Sequence, residues 1–169
     1  FAIKALKPSC KVIGVQAAGA PSMYESRKAG QPIELPSVST IADGIAVKKP
    51  GDLTFELCEK YVDELVTVSE EEICAAITAL IEDQKTVAEG AGATTVAAVM
   101  FGKVDASEKK TVCVVSGGNV DVTTLSRIIT KGLSKQGRIA EITTKIVDKP
   151  GNLIRMLQIV SDTGANITN

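Results

Sequence analysis

Thr111-Val112-Cys113-Val114-Val115 runs directly into Ser116-Gly117-Gly118-Asn119 and then Val120-Asp121. The first five residues form a short apolar run rich in β-branched side chains, which reads as a strand covered on both faces. The next four are small and polar and read as a tight turn. Asp121 then offers a cap for a helix that points Leu125, Ile128, Ile129 and Leu133 inward. Strand, glycine turn and capped helix in that order make half of a βαβ unit.

The same order recurs upstream. Lys11-Val12-Ile13-Gly14-Val15, after Pro8, reads as a buried strand; Gln16-Ala17-Ala18-Gly19 follows, then a short helix over residues 21–29 stopped by Gly30. Leu65-Val66-Thr67-Val68 reads as another strand. Ser69-Glu70-Glu71-Glu72 after it matches a capping box, in which the Ser hydroxyl takes an orphan amide and Glu72 reaches back. The helix it opens carries Ile73, Ala76, Ile77, Leu80 and Ile81 on one face. Leu53, Leu57 and Tyr61 recur at helical spacing, and a further helix is predicted from near Gly92 to Phe101, ending at Gly102. Phe1-Ala2-Ile3-Lys4-Ala5-Leu6 reads as the tail of a helix. Residues 31–51 hold Pro32, Pro36, Pro50, Gly44 and Gly51, a long loop of the kind that often carries function. Alternating strands and helices imply an α/β fold with a mostly parallel sheet.

Beyond residue 133 the pattern changes. Residues 134–138 read as a polar linker. Residues 139–147 alternate partly, with Ile142 and Ile146 among polar neighbours, as a half-exposed antiparallel strand would. Asp148-Lys149-Pro150-Gly151-Asn152 reads as a turn into a helix faced by Leu153, Leu157 and Val160, and Gly164-Ala165-Asn166-Ile167 as the start of another element. The expected division is 1–133, a linker at 134–138, and the front of a second domain at 139–169.

The composition narrows the function. The 169 residues include no His and no Trp, and the aromatic residues are Phe1, Tyr24, Phe55, Tyr61 and Phe101. Without His, a Ser-His-Asp or Cys-His site and His-ligated zinc are excluded from this chain. Few aromatics and a net charge of −1 with no basic stripe argue against nucleic acid. The uncharged run at 90–102 falls short of the roughly 20 residues that span a bilayer, and no signal peptide is visible. Cys10, Cys58, Cys74 and Cys113 lack CxxC spacing and read as free thiols in a reducing, cytoplasmic setting.

In an open parallel sheet, ligands gather at the carboxyl ends of strands. Three polar loops fall there: residues 16–19, Ser69, and residues 116–119. Backbone amides at such loops favour an anion; on periodicity alone, a tight turn that needs glycine for positive φ is the better explanation. Glu89, a lone acid before Gly90-Ala91-Gly92, is either a helix-start acid favoured by the dipole or a carboxylate lining a cleft. Thr40-Ile41-Ala42-Asp43-Gly44 reads first as an Asp-Gly turn.

Taken together, four stretches give residues 11–133 a resemblance to the C-terminal part of the threonine dehydratases (threonine ammonia-lyases), pyridoxal-phosphate enzymes of the tryptophan-synthase-β-like group. They are residues 11–16, Thr40-Ile41-Ala42-Asp43-Gly44, Glu89-Gly90-Ala91-Gly92-Ala93 and Val115-Ser116-Gly117-Gly118-Asn119-Val120-Asp121, in the family's order and spacing. Through Asp148-Lys149-Pro150-Gly151-Asn152-Leu153 and Gly164-Ala165-Asn166-Ile167, residues 138–169 resemble the first part of an ACT domain. The implied fold is a mostly parallel three-layer sheet fragment of a fold-type II pyridoxal-phosphate enzyme, followed by a truncated α+β, ferredoxin-like ACT module.

The resemblance implies pyridoxal 5'-phosphate as cofactor and assigns roles by position. Ser116 matches the serine that hydrogen-bonds the pyridine nitrogen, where a neutral hydroxyl leaves the nitrogen largely unprotonated and favours β-elimination. Gly117 belongs to the same turn, and Asn119 lies next to it and supports it. Gly44 matches a glycine whose backbone borders the cofactor, with Asp43 beside it, and Glu89 matches an acid on the ring side. Gly151, Asn152 and Asn166 match positions where amino-acid effectors bind ACT modules. No catalytic residue is expected in this chain, because the family's Schiff-base lysine and glycine-rich phosphate cradle lie upstream of the matching part. Gln16 and Ser22 stand where serine racemases carry Glu and Asp ligands for a divalent ion, which implies no metal site and favours a dehydratase over a racemase. The implied parent deaminates L-threonine to 2-oxobutanoate and L-serine to pyruvate, as in isoleucine biosynthesis, and assembles as a dimer or tetramer; this chain alone is expected to be inactive. The alternatives are a non-catalytic amino-acid-binding regulatory protein and a related enzyme such as serine racemase.

Overall fold

A computed structural model describes residues 1–167, which divide into a unit of residues 1–139 and a second unit from residue 140 onward. In the first unit the elements run α1 (Ala2–Leu6), β1 (Ile13–Ala17), α2 (Ser22–Ala29), α3 (Asp52–Tyr61), β2 (Glu64–Val68), α4 (Glu70–Gln84), α5 (Gly90–Met100) and α6 (Val122–Lys135). Strands β1 and β2 pair in parallel, Ile13 opposite Glu64 through Ala17 opposite Val68. Parallel pairing requires a crossover, which α2, the 31–51 loop and α3 provide.

Local chemistry accounts for the starts of α4 and α6. Ser69 accepts the Glu72 amide at 3.2 Å while the Glu72 carboxylate accepts the Ser69 amide at 2.8 Å, completing the capping box. Asp121 accepts the Thr124 amide at 2.8 Å, and the Thr124 hydrogen bond, with the first-turn amides, holds its carboxyl below the usual carboxylate range. Asp63 fastens the chain ahead of β1, accepting the Val12 amide at 2.7 Å and pairing with Lys4 at 2.6 Å.

The core lies around α4. Val68, Ile73, Ile77 and Ile128 are fully or almost fully buried, with small residues of α5, Ala93, Ala97 and Ala98, packed among them. Helix α4 buries more than its expected face: Cys74, Ala75 and Thr78 are also enclosed. The reason is that α5 and α6 cover it from two sides. Gly132 of α6 permits the close approach; a Cβ there would meet the Cys74 carbonyl oxygen at 2.7 Å and collide with the Thr78 hydroxyl.

Several expectations are corrected. Residues 111–115 form no strand: Val112 is 87% and Val114 66% exposed. The sheet of the described residues has only β1 and β2, so no strand among them pairs with this run. It is held to α5 instead, by the Thr95 hydroxyl donating to the Val114 carbonyl at 3.0 Å and the Cys113 thiol donating to the Thr95 carbonyl at 3.6 Å. The parallel sheet is therefore narrower than expected. Helix α5 starts at Gly90, because Glu89 already has the extended conformation of a cap residue. Helix α3 buries Phe55 rather than a Leu53–Leu57 stripe, and both leucines are exposed. Of the expected linker 134–138, Ser134 and Lys135 complete α6, and Arg138 pairs with Glu82 at 2.6 Å.

In the second unit the described residues form one helix, α7 (Asn152–Asp162). Residues 139–147 form no strand, and Ile142 and Ile146 are exposed, since no neighbouring strand offers hydrogen bonds. The Gly164 amide donates to the Ser161 carbonyl and closes α7; residues 165–167 are neither helix nor strand, and the rest of the element expected from Gly164 lies outside the described residues. No helix among the described residues is long and apolar enough to cross a membrane.

Two outcomes check this packing. Gly132→Ala is expected to destabilise the first unit by about 1–3 kcal/mol, the range for overpacking a tight contact, in denaturant unfolding. Burial pushes the Cys74 thiol up to about 11, leaving roughly one molecule in a thousand as thiolate at pH 8. Iodoacetamide at pH 8 is therefore expected to spare Cys74 in the folded chain and to modify it in urea, as read by peptide mass spectrometry.

Candidate functional site

Gly90-Ala91-Gly92 opens α5 with almost no side chain, and two distant segments lie on its backbone. A Cβ on Gly90 would sit 2.7 Å from the Ile41 carbonyl oxygen and 2.9 Å from Ala42 backbone atoms. A Cβ on Gly92 would collide with the backbone of Ser116. Residues 39–44 and the Ser116 turn are thus brought to one helix end, although they are far apart in sequence.

Glu89 joins them. Its carboxylate accepts the Asn119 amide at 3.3 Å, and its own amide donates to the Gly117 carbonyl at 3.2 Å. Gly117 lies over that carboxylate at φ +70°, so a side chain there would be both strained and obstructed. Glu89 also sits 3.5 Å from the position a Cβ would take on Gly44. As the cap residue of α5 it makes no side-chain bond to its own helix; the carboxylate is turned to the opposing turn.

Of the five expected cofactor positions, Gly44, Glu89, Gly117 and Asn119 therefore meet directly. Ser116 joins through its backbone on Gly92, and its side chain is exposed. A small cavity of about 100 Å³ beside them is lined by Ile41, Asp43, Glu89, Gly90, Asn119, Val120, Asp121, Thr124 and Ile128. Asp43 turns its carboxylate onto the Gly44 amide at 2.8 Å, which is the Asp-Gly turn expected there. Gln16 serves the fold, its side-chain carbonyl accepting the Tyr24 amide at 2.8 Å at the start of α2, and Ser22 is buried in that helix.

Two features of the site escape sequence reasoning. Gly90 and Gly92 act through close backbone approach, for which the Gly-x-Gly spacing at a helix start is the available signal. Glu70 bonds the Ile41 amide at 2.7 Å across 29 residues of chain, and no local pattern announces that contact.

In the second unit, Gly151 precedes α7 at φ +88°, and Asn152 donates from Nδ2 to the Val147 carbonyl at 2.9 Å. Asn166 is exposed beyond the helix.

The family model for pyridoxal-phosphate-dependent enzymes matches residues 1–118. The chain belongs to that family. It is similar to an L-threonine ammonia-lyase of Thermotoga maritima, 55% identical over 98% of this chain and 41% of that protein. Among solved structures it is similar to a processed threonine deaminase isoform from Solanum lycopersicum (TM-score 0.69, 32% identity, 76% of this chain and 36% of that one). Maize serine racemase is also similar (TM-score 0.67, 35% identity, 80% of this chain and 43% of that one). The chain thus spans about two fifths of the length of the relatives it matches.

The residues present fit one side of the family's flat cofactor. Gly44 and Gly117 leave the Glu89 carboxylate uncrowded, and the exposed Ser116 offers a hydroxyl that both donates and accepts, the kind of partner a pyridine nitrogen takes.

The contact between Gly117 and Glu89 can be separated from backbone strain. Gly30 has the same φ of +70° with open space around it. Gly30→Ala is expected to cost about 1 kcal/mol and Gly117→Ala more, with Glu89→Ala recovering the excess in a double-mutant cycle read by denaturant unfolding.

Proposed function

We propose that this chain supplies the ring-nitrogen side of the cofactor site in a threonine/serine dehydratase, which converts L-threonine to 2-oxobutanoate and ammonia, and L-serine to pyruvate and ammonia. What carries the reading is the convergence of Glu89, Gly44 and the Ser116–Asn119 turn on the start of α5. The similarity to the Thermotoga maritima lyase over nearly the whole chain supports it.

The bound cofactor supplies the electron sink for removing the Cα proton and expelling the β-hydroxyl. The chain's own residues orient and tune. Ser116 offers a neutral hydroxyl to the pyridine nitrogen, so no charged partner holds a proton on that atom. Glu89 holds the Gly117–Asn119 turn from below, which fixes where Ser116 stands. Gly44 leaves room for the ring beside it. The group that takes the Cα proton, and the phosphate cradle, belong to the rest of the parent in this reading, so the 169 residues alone carry no lyase activity. The parent is cytoplasmic and acts as a homo-oligomer.

The second unit is read as the front of an ACT module. Gly151, Asn152 and Asn166 form its amino-acid effector positions, and the similarity to the Thermotoga maritima protein extends over this part of the chain. A serine racemase is the second reading, favoured by the likeness to the maize enzyme; the neutral Gln16, engaged with Tyr24, counts against a racemase-type metal site there.

The complete protein, loaded with pyridoxal phosphate, is expected to release 2-oxobutanoate from L-threonine and pyruvate from L-serine faster than it forms D-serine. Ser116→Ala is expected to lower kcat roughly tenfold, as loss of one hydrogen bond worth about 1–2 kcal/mol in the transition state would. Unchanged turnover in that variant would remove Ser116 from the mechanism, and dominant D-serine formation would replace the dehydratase with a racemase.

A further inference from the structure

Three glutamates follow Ser69, and helix-dipole chemistry explains why acids gather there without saying what each does. The structure separates them. Glu72 closes the capping box and pairs with Lys103 at 3.1 Å. Glu71 faces solvent. Glu70 leaves its own helix altogether: Oε2 accepts the Ile41 amide at 2.7 Å, and Oε1 is buried with no hydrogen-bond partner among the described residues.

Ile41 is the point at which the 31–51 loop meets the site. Its carbonyl oxygen is the atom on which Gly90 packs, and Ala42, the next residue, is fully buried. Ile41, Asp43, Glu89 and Gly90 line the same small cavity, and Gly44 lies beside the Glu89 carboxylate. The Ile41 peptide is thus held between two groups, Glu70 at its amide and α5 at its carbonyl. Two residues earlier, the Ser39 amide also bonds outside the stretch, donating to the Gly19 carbonyl at 2.9 Å. The Gly19 turn also reaches the same carboxylate: a Cβ on Gly19 would lie 3.3 Å from Glu70 Oε1. The Glu70 head group therefore occupies the corner where the turn after β1, the 39–44 stretch and the start of α4 come together.

We propose that Glu70 is a positioning residue for the cofactor-side loop, holding the Ile41 amide so that Gly44 and Glu89 keep the spacing the cofactor ring needs. The proposal rests on the cofactor-site reading given above. A hydrogen bond to a carboxylate is about twice as strong as one to a neutral acceptor, and this one spans a loop with little regular structure of its own.

Three variants test it: Glu70→Ala removes the acceptor, Glu70→Asp shortens it, and Glu70→Gln keeps an uncharged acceptor in place. Amide hydrogen exchange is read by NMR on the 169-residue chain, and pyridoxal-phosphate affinity, kcat and KM on the complete protein. In Glu70→Ala, exchange at Ile41 is expected to rise roughly tenfold or more while Ile73 and Ile77 in α4 keep their protection. Cofactor affinity and kcat are expected to fall by a similar factor, with KM for threonine changing less. Glu70→Gln is expected to recover most of both effects, and Glu70→Asp little. Unchanged exchange at Ile41 in Glu70→Ala overturns the proposal. So does a loss of protection at Ile41 that Ile73 and Ile77 share in equal measure, which marks a merely structural role. A wild-type protein that binds pyridoxal phosphate yet consumes no threonine fails the dehydratase reading alone, because Ile41 exchange and cofactor titration decide Glu70 without turnover.

Discussion

The first turn of α5 presents bare backbone, and the rest of the site depends on that. Ile41 and Ala42 lie on Gly90, and Ser116 lies on Gly92, at distances that no side chain would permit. Contacts between backbone surfaces leave little freedom for adjustment, so the two segments are held in fixed positions relative to the helix end. Glu89 sits just before this turn, and its side chain reaches from the helix start to both neighbours. Its bonds with the Gly117–Asn119 turn run in both directions, amide to carbonyl and carboxylate to amide, which fixes the turn in height and in register.

The helix behind the site is built to be rigid. Helix α4 is enclosed by α5 and α6, and its fully buried residues are mostly small or β-branched. Such residues have few rotamers to lose, so tight packing comes at a low cost in side-chain entropy. The start of α4 is fixed by the capping box and by the Glu72–Lys103 pair, which ties it to the chain just past α5. Glu70 therefore reaches toward the 39–44 stretch from an immobile base. A hydrogen bond can position a loop only when the group that makes it is itself held.

Much of this was legible in the residues. The capping box at Ser69, the Asp121 cap and the helix stop at Gly30 each depend on neighbours within a few positions, and each forms where the local chemistry places it; the first strand lies two residues later than expected, over Ile13–Ala17, and takes in Gln16. The motifs around Gly44, Glu89 and Ser116 mark segments that meet at the start of α5. Their meeting was not legible, because the contacts that join them link residues far apart in the chain and leave no periodic trace. The run at 111–115 shows the opposite failure. Its β-branched composition is that of a buried strand, but a strand requires a hydrogen-bonded neighbour, and among the described residues α5 is what it touches. Residues 139–147 fail as a strand for the same reason.

The sequence by itself determined where the capped helices begin, which residues cap them, and which loops carry small and acidic residues. These follow from short-range sterics and hydrogen bonding, which act between residues close in the chain. Only the tertiary structure decided that two loops rest on the backbone of α5, that Glu89 faces the Ser116 turn rather than its own helix, and that Glu70 grips Ile41. Those outcomes depend on which surfaces come within a few ångströms once the core has packed, and such distances are set by the fold as a whole.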